Sequence, residues 1–280
     1  MELISEHPCF GGVQGFYRHA SSVIGSPMRF SVFQPPHARD RSVPVLFFLA
    51  GLTCTEETFM MKAGAQRFAA QHGIMLVTPD TSPRDTGIVG EAQSWDVGSG
   101  AGFYVDATEA PWSRHFRMYS YVLDELRELV LKSFPARASR IGIFGHSMGG
   151  HGALVLALRN PGIYRSVSAL APIAAPIQSP WGQKAFATYL GSDQAAWSRY
   201  DASELMRALH QPFPAGILID QGLGDKFLAD QLFPEQFESA CKQADQPLRL
   251  RRHEGYDHGY YFISTFMQDH LAFHHEALNG

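Results

Sequence analysis

Short, unbroken apolar runs recur along this chain, with stretches of helical spacing between them. Val45-Leu46-Phe47-Phe48-Leu49 is one such run; Ile74 to Val77, Arg140 to Phe144, Val167 to Leu170 and Ile217 to Ile219 are others. An uninterrupted run, rather than a strict apolar–polar alternation, suits a strand covered on both faces, as inside a parallel sheet. Arg29 to Phe33 alternates more and reads as an antiparallel edge strand. Among the helical stretches, Val122, Leu126, Leu129 and Val130 form a stripe, with Glu128 and Lys132 one turn apart on the same helix. Ala153 to Leu158 is apolar all round and reads as a buried helix. Phe233, Phe237, Ala240, Cys241 and Ala244 form another stripe, with Pro234 near its start. A last helix from about Tyr260 to Leu278 carries Phe262, Phe266 and Phe273. This alternation predicts a doubly wound, mostly parallel α/β sheet of about eight strands, with helices on both faces.

The 280 residues suit one domain, 1–280, with no repeat, low-complexity tract or linker dividing it. The segment 172–209 fits the pattern worst. It holds Pro172, Pro176 and Pro180, two tryptophans, and short helix-like pieces such as Gly182 to Leu190. It reads as an insertion over one end of the sheet, either a lid over a site or a structural excursion. The net charge of −4 and the lack of any Lys/Arg-rich run argue against a nucleic-acid or membrane-surface partner. Cys9, Cys54 and Cys241 are too few and too scattered for a disulfide framework, and no C-x-x-C spacing suggests a metal site. The first residues carry two acids and lack the apolar core of a signal peptide. Val43 to Leu52, the longest apolar run, is about half of the roughly 20 residues a membrane span needs. The expectation is a soluble, cytoplasmic protein in a reducing compartment.

The most informative stretch is Gly145-His146-Ser147-Met148-Gly149, set between a clear strand and a clear helix. G-x-S-x-G in that context predicts a sharp strand-to-helix turn that lifts the Ser147 hydroxyl out of the sheet edge. The next backbone N–H, that of Met148, then lies at a helix N-terminus, where it can stabilise an oxyanion. A phosphate-binding loop fits poorly, because no Lys-Ser/Thr follows. His146 and His151 are five apart and no H-E-x-x-H occurs, so a zinc peptidase fits no better.

A serine hydroxyl needs an imidazole to take its proton, and the imidazole needs a carboxylate to fix its tautomer. In α/β-hydrolase order the acid follows the serine and the histidine comes last. Ile217-Leu218-Ile219-Asp220-Gln221-Gly222-Leu223-Gly224-Asp225 offers two acids. Asp225, beyond two glycines and free to turn, is preferred; Asp220 reads as a strand-end hydrogen-bonding group. His258, in a Gly-punctuated loop after the strand marked by Leu248 and Leu250, is the base. His253 reads as strand-terminal and exposed. His270 and His274, spaced i, i+4, read as a solvated or packed helix face. The second oxyanion donor should come from the loop Leu49 to Glu57, with Leu52 the best placed and Gly51 allowing close approach. Cys54 then falls near the pocket.

The chain resembles the S-formylglutathione hydrolases, or esterase D family, nearly end to end. The resemblance is carried by Gly51-Leu52-Thr53-Cys54-Thr55, Pro79-Asp80-Thr81-Ser82-Pro83-Arg84, Ser94-Trp95-Asp96, Gly145 to Leu154, Pro180-Trp181-Gly182-Gln183-Lys184-Ala185-Phe186 and Tyr256-Asp257-His258. It implies an α/β-hydrolase fold and a cofactor-free, metal-free thioesterase. Such an enzyme splits S-formylglutathione into glutathione and formate in formaldehyde detoxification, with side activity on small esters. It also implies that Ser147, Asp225 and His258 form the triad and that the protein is a homodimer. Trp181 and the stretch Gly98 to Tyr104 are candidate contacts for the glutathione portion. Leu223-Gly224 before the acid and Gly259 after the histidine depart from the family pattern. A general carboxylesterase or acyltransferase would use the same residues, and a non-catalytic binding protein on the same scaffold is a more distant alternative.

Overall fold

The computed structural model describes all 280 residues. Nine strands form one sheet: β1 (Glu2–Cys9), β2 (Gly12–Ala20), β3 (Pro27–Gln34), β4 (Val43–Leu49), β5 (Met75–Pro79), β6 (Ala136–His146), β7 (Ser166–Leu170), β8 (Ile217–Gly222) and β9 (Leu248–His253). Their order across the sheet is β1-β2-β3-β5-β4-β6-β7-β8-β9. From β5 to β9 all neighbours are parallel, whereas β1 to β3 and the β3–β5 junction are antiparallel. No helix is long and apolar enough to cross a membrane.

Two expectations need correction. Arg29 to Phe33 lies in β3, which is antiparallel but interior, because β1 and β2 extend the sheet beyond it. Those two strands bring the count to nine rather than about eight. β1 is exposed along most of its length and so lacks any face-specific apolar pattern.

The central strands are as buried as their unbroken apolar runs predict; every residue of β4, β5, β7 and β8 is buried. Successive side chains of β6 point to opposite faces. Gly145 meets the helix Met148–Arg159, while Phe144 meets His270 of the helix Tyr260–Asn279. These two helices thus cover opposite faces. The stretch Met118 to Ser133 is helical throughout but widens to a π-turn over Tyr121–Leu126. Val122, Leu126 and Val130 are buried, and Leu129 only partly, because the extra residue in a π-turn rotates the next turn of the helix. The 172–209 segment joins β7 to β8 through the helices Pro180–Leu190, Gln194–Ser198 and Ala202–Arg207.

The interface between β7 and the C-terminal helix is polar at its centre. Ser166 Oγ meets His274 Nδ1 at 2.7 Å, and His274 Nε2 meets Ser168 Oγ at 2.8 Å. Ser168 Oγ also meets His270 Nδ1 at 2.7 Å, and His270 Nε2 meets Asp220 Oδ2 at 3.1 Å. His270 and His274 are therefore a packed helix face, fully buried. His253, expected to be exposed, is not. It bonds Asp220 Oδ1 at 3.1 Å and stacks on Phe266 at 3.8 Å. Asp220 sits close enough behind it to draw the ring inward.

The sheet order reverses at β4. Its sequence successor β5 lies on one side and β6 on the other, so the loops leaving β4 and β6 diverge at the carboxyl edge and open a crevice.

Candidate active site

Ser147 begins the turn after β6 with φ 57° and ψ −120°, a backbone state rarely occupied by residues other than glycine. Packing enforces it. A Cβ at Gly149 would lie 1.9 Å from the carbonyl oxygen of Leu49, and one at Gly145 would lie 2.2 Å from that of Gly149. Only glycines let the helix close onto β4 and β6. The Ser147 amide donates to Leu170 O at 3.0 Å, while its carbonyl accepts from the His151 and Ile173 amides at 3.0 and 3.2 Å. These bonds hold a conformation that costs about 1–3 kcal/mol.

Asp225 and His258 arrive from the loops after the adjacent parallel strands β8 and β9. The loops are joined by backbone: Leu223 N–H donates to His253 O and Gly224 N–H to Tyr256 O, both at 2.9 Å. A Cβ at Gly222 would stand 2.3 Å from Tyr256 O, so this approach requires glycine there. Asp225 Oδ2 lies 2.5 Å from His258 Nδ1. Its other oxygen accepts the Phe227 amide at 2.9 Å. The carboxylate side chain is fully buried and the imidazole 16% exposed. A carboxylate at Nδ1 fixes the proton there and leaves the Nε2 lone pair free.

Ser147 and His258 line one cavity of 180 Å³, together with Gly51, Leu52, Thr53, Cys54, Trp95, His146, Trp181, Phe227 and Tyr260. A Cβ on Gly51 would be 3.2 Å from Ser147 Cβ, so the loop after β4 lies directly against the serine. Leu52 follows Gly51 on this wall, and its amide makes no backbone hydrogen bond. Met148 is the first residue of its helix, where amides have no intrahelical acceptor. Trp181, from the first helix of the 172–209 segment, packs against Phe227 at 4.6 Å and Trp95 at 5.4 Å. Part of that segment thus walls the crevice. Its later helix Ala202–Arg207 packs instead against Met148–Arg159 and Pro234–Gln243.

Cys54 lies in the cavity wall, and burial raises its thiol pKa. Its carbonyl accepts from Thr81 Oγ1 at 2.6 Å and Arg84 at 3.1 Å, which fixes the loop. Asp220 stays away from the cavity, held by Arg251 at 2.6 and 2.5 Å. Gly98 to Tyr104 is mainly a packing element. Tyr189 Oη accepts the Gly98 amide at 2.7 Å and donates to Ala101 O at 2.9 Å, and Tyr104 Oη reaches Ala50 O at 3.0 Å.

Sequence reasoning missed His146, Phe227 and Tyr260. His146 lies 4.4 Å from His258, ring to ring, and burial followed by that neighbour holds it well below the ordinary imidazole range. It stands in the cavity wall as a neutral ring. Phe227 and Tyr260 each stand two residues beyond the expected acid and base, and that spacing was the available signal. A larger cavity of 630 Å³ at the opposite sheet edge, near Tyr164, Phe213 and Gly280, contains neither an acid nor an imidazole.

The family model "Putative esterase" matches residues 21–273. The chain is 54% identical over 277 residues to an S-formylglutathione hydrolase of Paracoccus denitrificans, covering 99% of this chain and 98% of the relative. It is 52% identical over 283 residues to the rat (Rattus norvegicus) protein of the same name, covering all of both chains. Among solved structures, an S-formylglutathione hydrolase from Agrobacterium tumefaciens superposes with TM-score 0.97 at 50% identity, covering 99% of this chain and 100% of that one.

Proposed function

The chain belongs to the S-formylglutathione hydrolases, and on that premise we propose that Ser147, His258 and Asp225 are its nucleophile, base and acid, with Leu52 and Met148 as oxyanion donors. The enzyme is a serine hydrolase that splits S-formylglutathione into glutathione and formate. The observation that carries the assignment of roles is the shared cavity of Ser147 and His258, with Asp225 Oδ2 2.5 Å behind the imidazole.

In this reading His258 Nε2 takes the Ser147 proton as Oγ attacks the formyl carbonyl. The oxyanion forms against the amides of Leu52 and Met148, each worth about 3–4 kcal/mol in the transition state. Asp225 supports the imidazolium without taking its proton. The carbon–sulfur bond then breaks, and the thiolate leaves with the proton from His258. Water, giving a proton to the same nitrogen, attacks the formyl-serine; its collapse releases formate and returns the proton to Ser147. A thiolate is a good leaving group, so oxyanion stabilisation matters more here than leaving-group protonation.

Trapping the protein with a fluorophosphonate tests the assignment. The label is expected on Ser147, with parallel loss of S-formylglutathione hydrolysis; a label elsewhere, or activity surviving full labelling of Ser147, refutes it. A cytoplasmic location and a homodimer belong to the same proposal. Three free cysteines are in keeping with a reducing compartment. Leu3, Ile4 and Phe10 are exposed along and beside the edge strand β1, and that unpaired edge is where a second copy would add. Light scattering that gives a monomer mass removes the dimer from the proposal.

A further inference from the structure

The catalytic cavity, at 180 Å³, is below the ~300 Å³ at which pockets begin to enclose a drug-sized ligand. It accommodates a formyl group and the sulfur beside it. A tripeptide thiol does not fit inside, so its arm lies across the mouth, and the groups at the mouth determine how it is held.

An uncommon residue of this chain gathers just outside that lining. Lysine occurs only at positions 62, 132, 184, 226 and 242; none lines the cavity itself, but three lie against lining residues or their chain neighbours. Lys62 Nζ stands 5.7 Å from the ring centroid of Tyr260, and Lys226 Nζ 4.9 Å from that of Phe227. Both rings line the cavity. Lys184 is already engaged. Its ammonium lies 2.6 Å from Asp96 and 3.2 Å from Ser94 Oγ, tying the loop that carries Trp95 to the helix that carries Trp181. Lys62 and Lys226 are exposed and rest on aromatic faces, which leaves their charge available to an anion. The exposed carboxylate beside the base, Asp257, is turned to its own loop, where it accepts the Gly259 amide at 2.8 Å.

We infer that Lys62 and Lys226 hold the carboxylates of the substrate's peptide arm, with the half-exposed ring of Trp95 as the platform under its backbone. The inference rests on the S-formylglutathione reading above. Glutathione carries two carboxylates and one ammonium, so its thioester is a net anion with two separated anchor points. The lysines stand behind two walls of the cavity, Lys62 against Tyr260 in an adjoining hollow and Lys226 against Phe227. One ends the helix Glu56–Lys62, next to the ring two residues past His258. The other directly follows Asp225.

Selectivity is the quantity to measure: kcat/KM for S-formylglutathione divided by kcat/KM for the S-formyl thioester of N-acetylcysteamine, an uncharged thiol. A rim charge changes binding by about three-fold. Lys62→Gln and Lys226→Gln are each expected to lower the ratio by about that factor, and the double variant by about ten-fold. The loss should appear in KM and shrink as salt rises. Lys62→Arg should restore most of it. Lys132→Gln, on a remote helix, should leave the ratio unchanged. A double variant with the wild-type ratio overturns the inference while leaving the functional reading intact. Wild-type protein that cleaves the uncharged thioester but not S-formylglutathione overturns the functional reading itself.

Discussion

The molecule contains two Ser–His–Asp groupings, one at the sheet edge and one in the core. Ser147, His258 and Asp225 meet at the edge, around a cavity. Ser168, His270 and Asp220 meet in the core, at 2.7 and 3.1 Å, and all three residues are fully buried. In the core every hydrogen-bonding group is already engaged. His270 uses both ring nitrogens, Ser168 also bonds His274, and the Asp220 carboxylate is bonded to Arg251. At the edge Ser147 sits in a strained turn facing open space. The difference lies in what the groups leave free, because the residue types are identical.

Substituting the serines tests that contrast most sharply. Ser147→Ala is expected to lower kcat about 10⁵-fold with little change in stability. Ser168→Ala should keep its activity but lose about 1–3 kcal/mol, since two buried imidazoles lose a partner. Urea unfolding and initial rates on the same preparations measure both; a folded but inactive Ser168→Ala would erase the distinction.

The acids give the next effect. Asp225→Asn should cost about 10⁴-fold in kcat, because the amide no longer fixes the imidazole tautomer. Asp220→Asn should cost about 2–3 kcal/mol, the lower side of a broken buried pair, because Arg251 is still 29% exposed. Its kcat should stay within about ten-fold of wild type. The reverse pattern would mean that the core acid serves the chemistry.

The smallest effect is on pH. Burial holds His151 down to about 4; burial, with His270 nearby, holds His274 well below the ordinary range, and His146 is similarly depressed. These rings are neutral when folded and gain protons on unfolding below about pH 6.5. Their contribution is complete above that pH and declines as pH falls, for His151 until about 4. Glu56, raised by burial to about 7, acts oppositely. Its contribution is complete below 4.5, its ordinary value, and is lost as pH rises through about 7. Three imidazoles against one carboxyl predict a net loss of stability between pH 7 and pH 5. The urea midpoint should fall over that range; a rise would mean that the core imidazoles are charged in the fold.

The edge was more legible in the sequence than the core. Ser147 and Asp225 lie on glycine-marked loops after apolar runs, and His258 on one after the alternating strand β9, so strand order alone brings them near one another. The hydrogen-bonded chain Ser166–His274–Ser168–His270–Asp220 depends on which face of β7 meets which face of a distant helix, and local pattern does not encode that. β1 and β2 escaped for a different reason. β1 is exposed on both faces and β2 buried along most of its length, so neither shows a clear alternation. His253 was misplaced because its cover, Phe266, comes from the following helix.

The amides of Leu223 and Gly224, bonded to the carbonyls of His253 and Tyr256, have a mechanical consequence. The acid loop and the base loop form one body riding on two parallel strands. Thermal motion that carries this body towards or away from the serine changes the gap between the imidazole and Ser147, while the carboxylate–imidazole contact moves with it unchanged. The spacing within the pair is thereby insulated from the breathing of the crevice, and the distance left to vary is the one between the imidazole and Ser147.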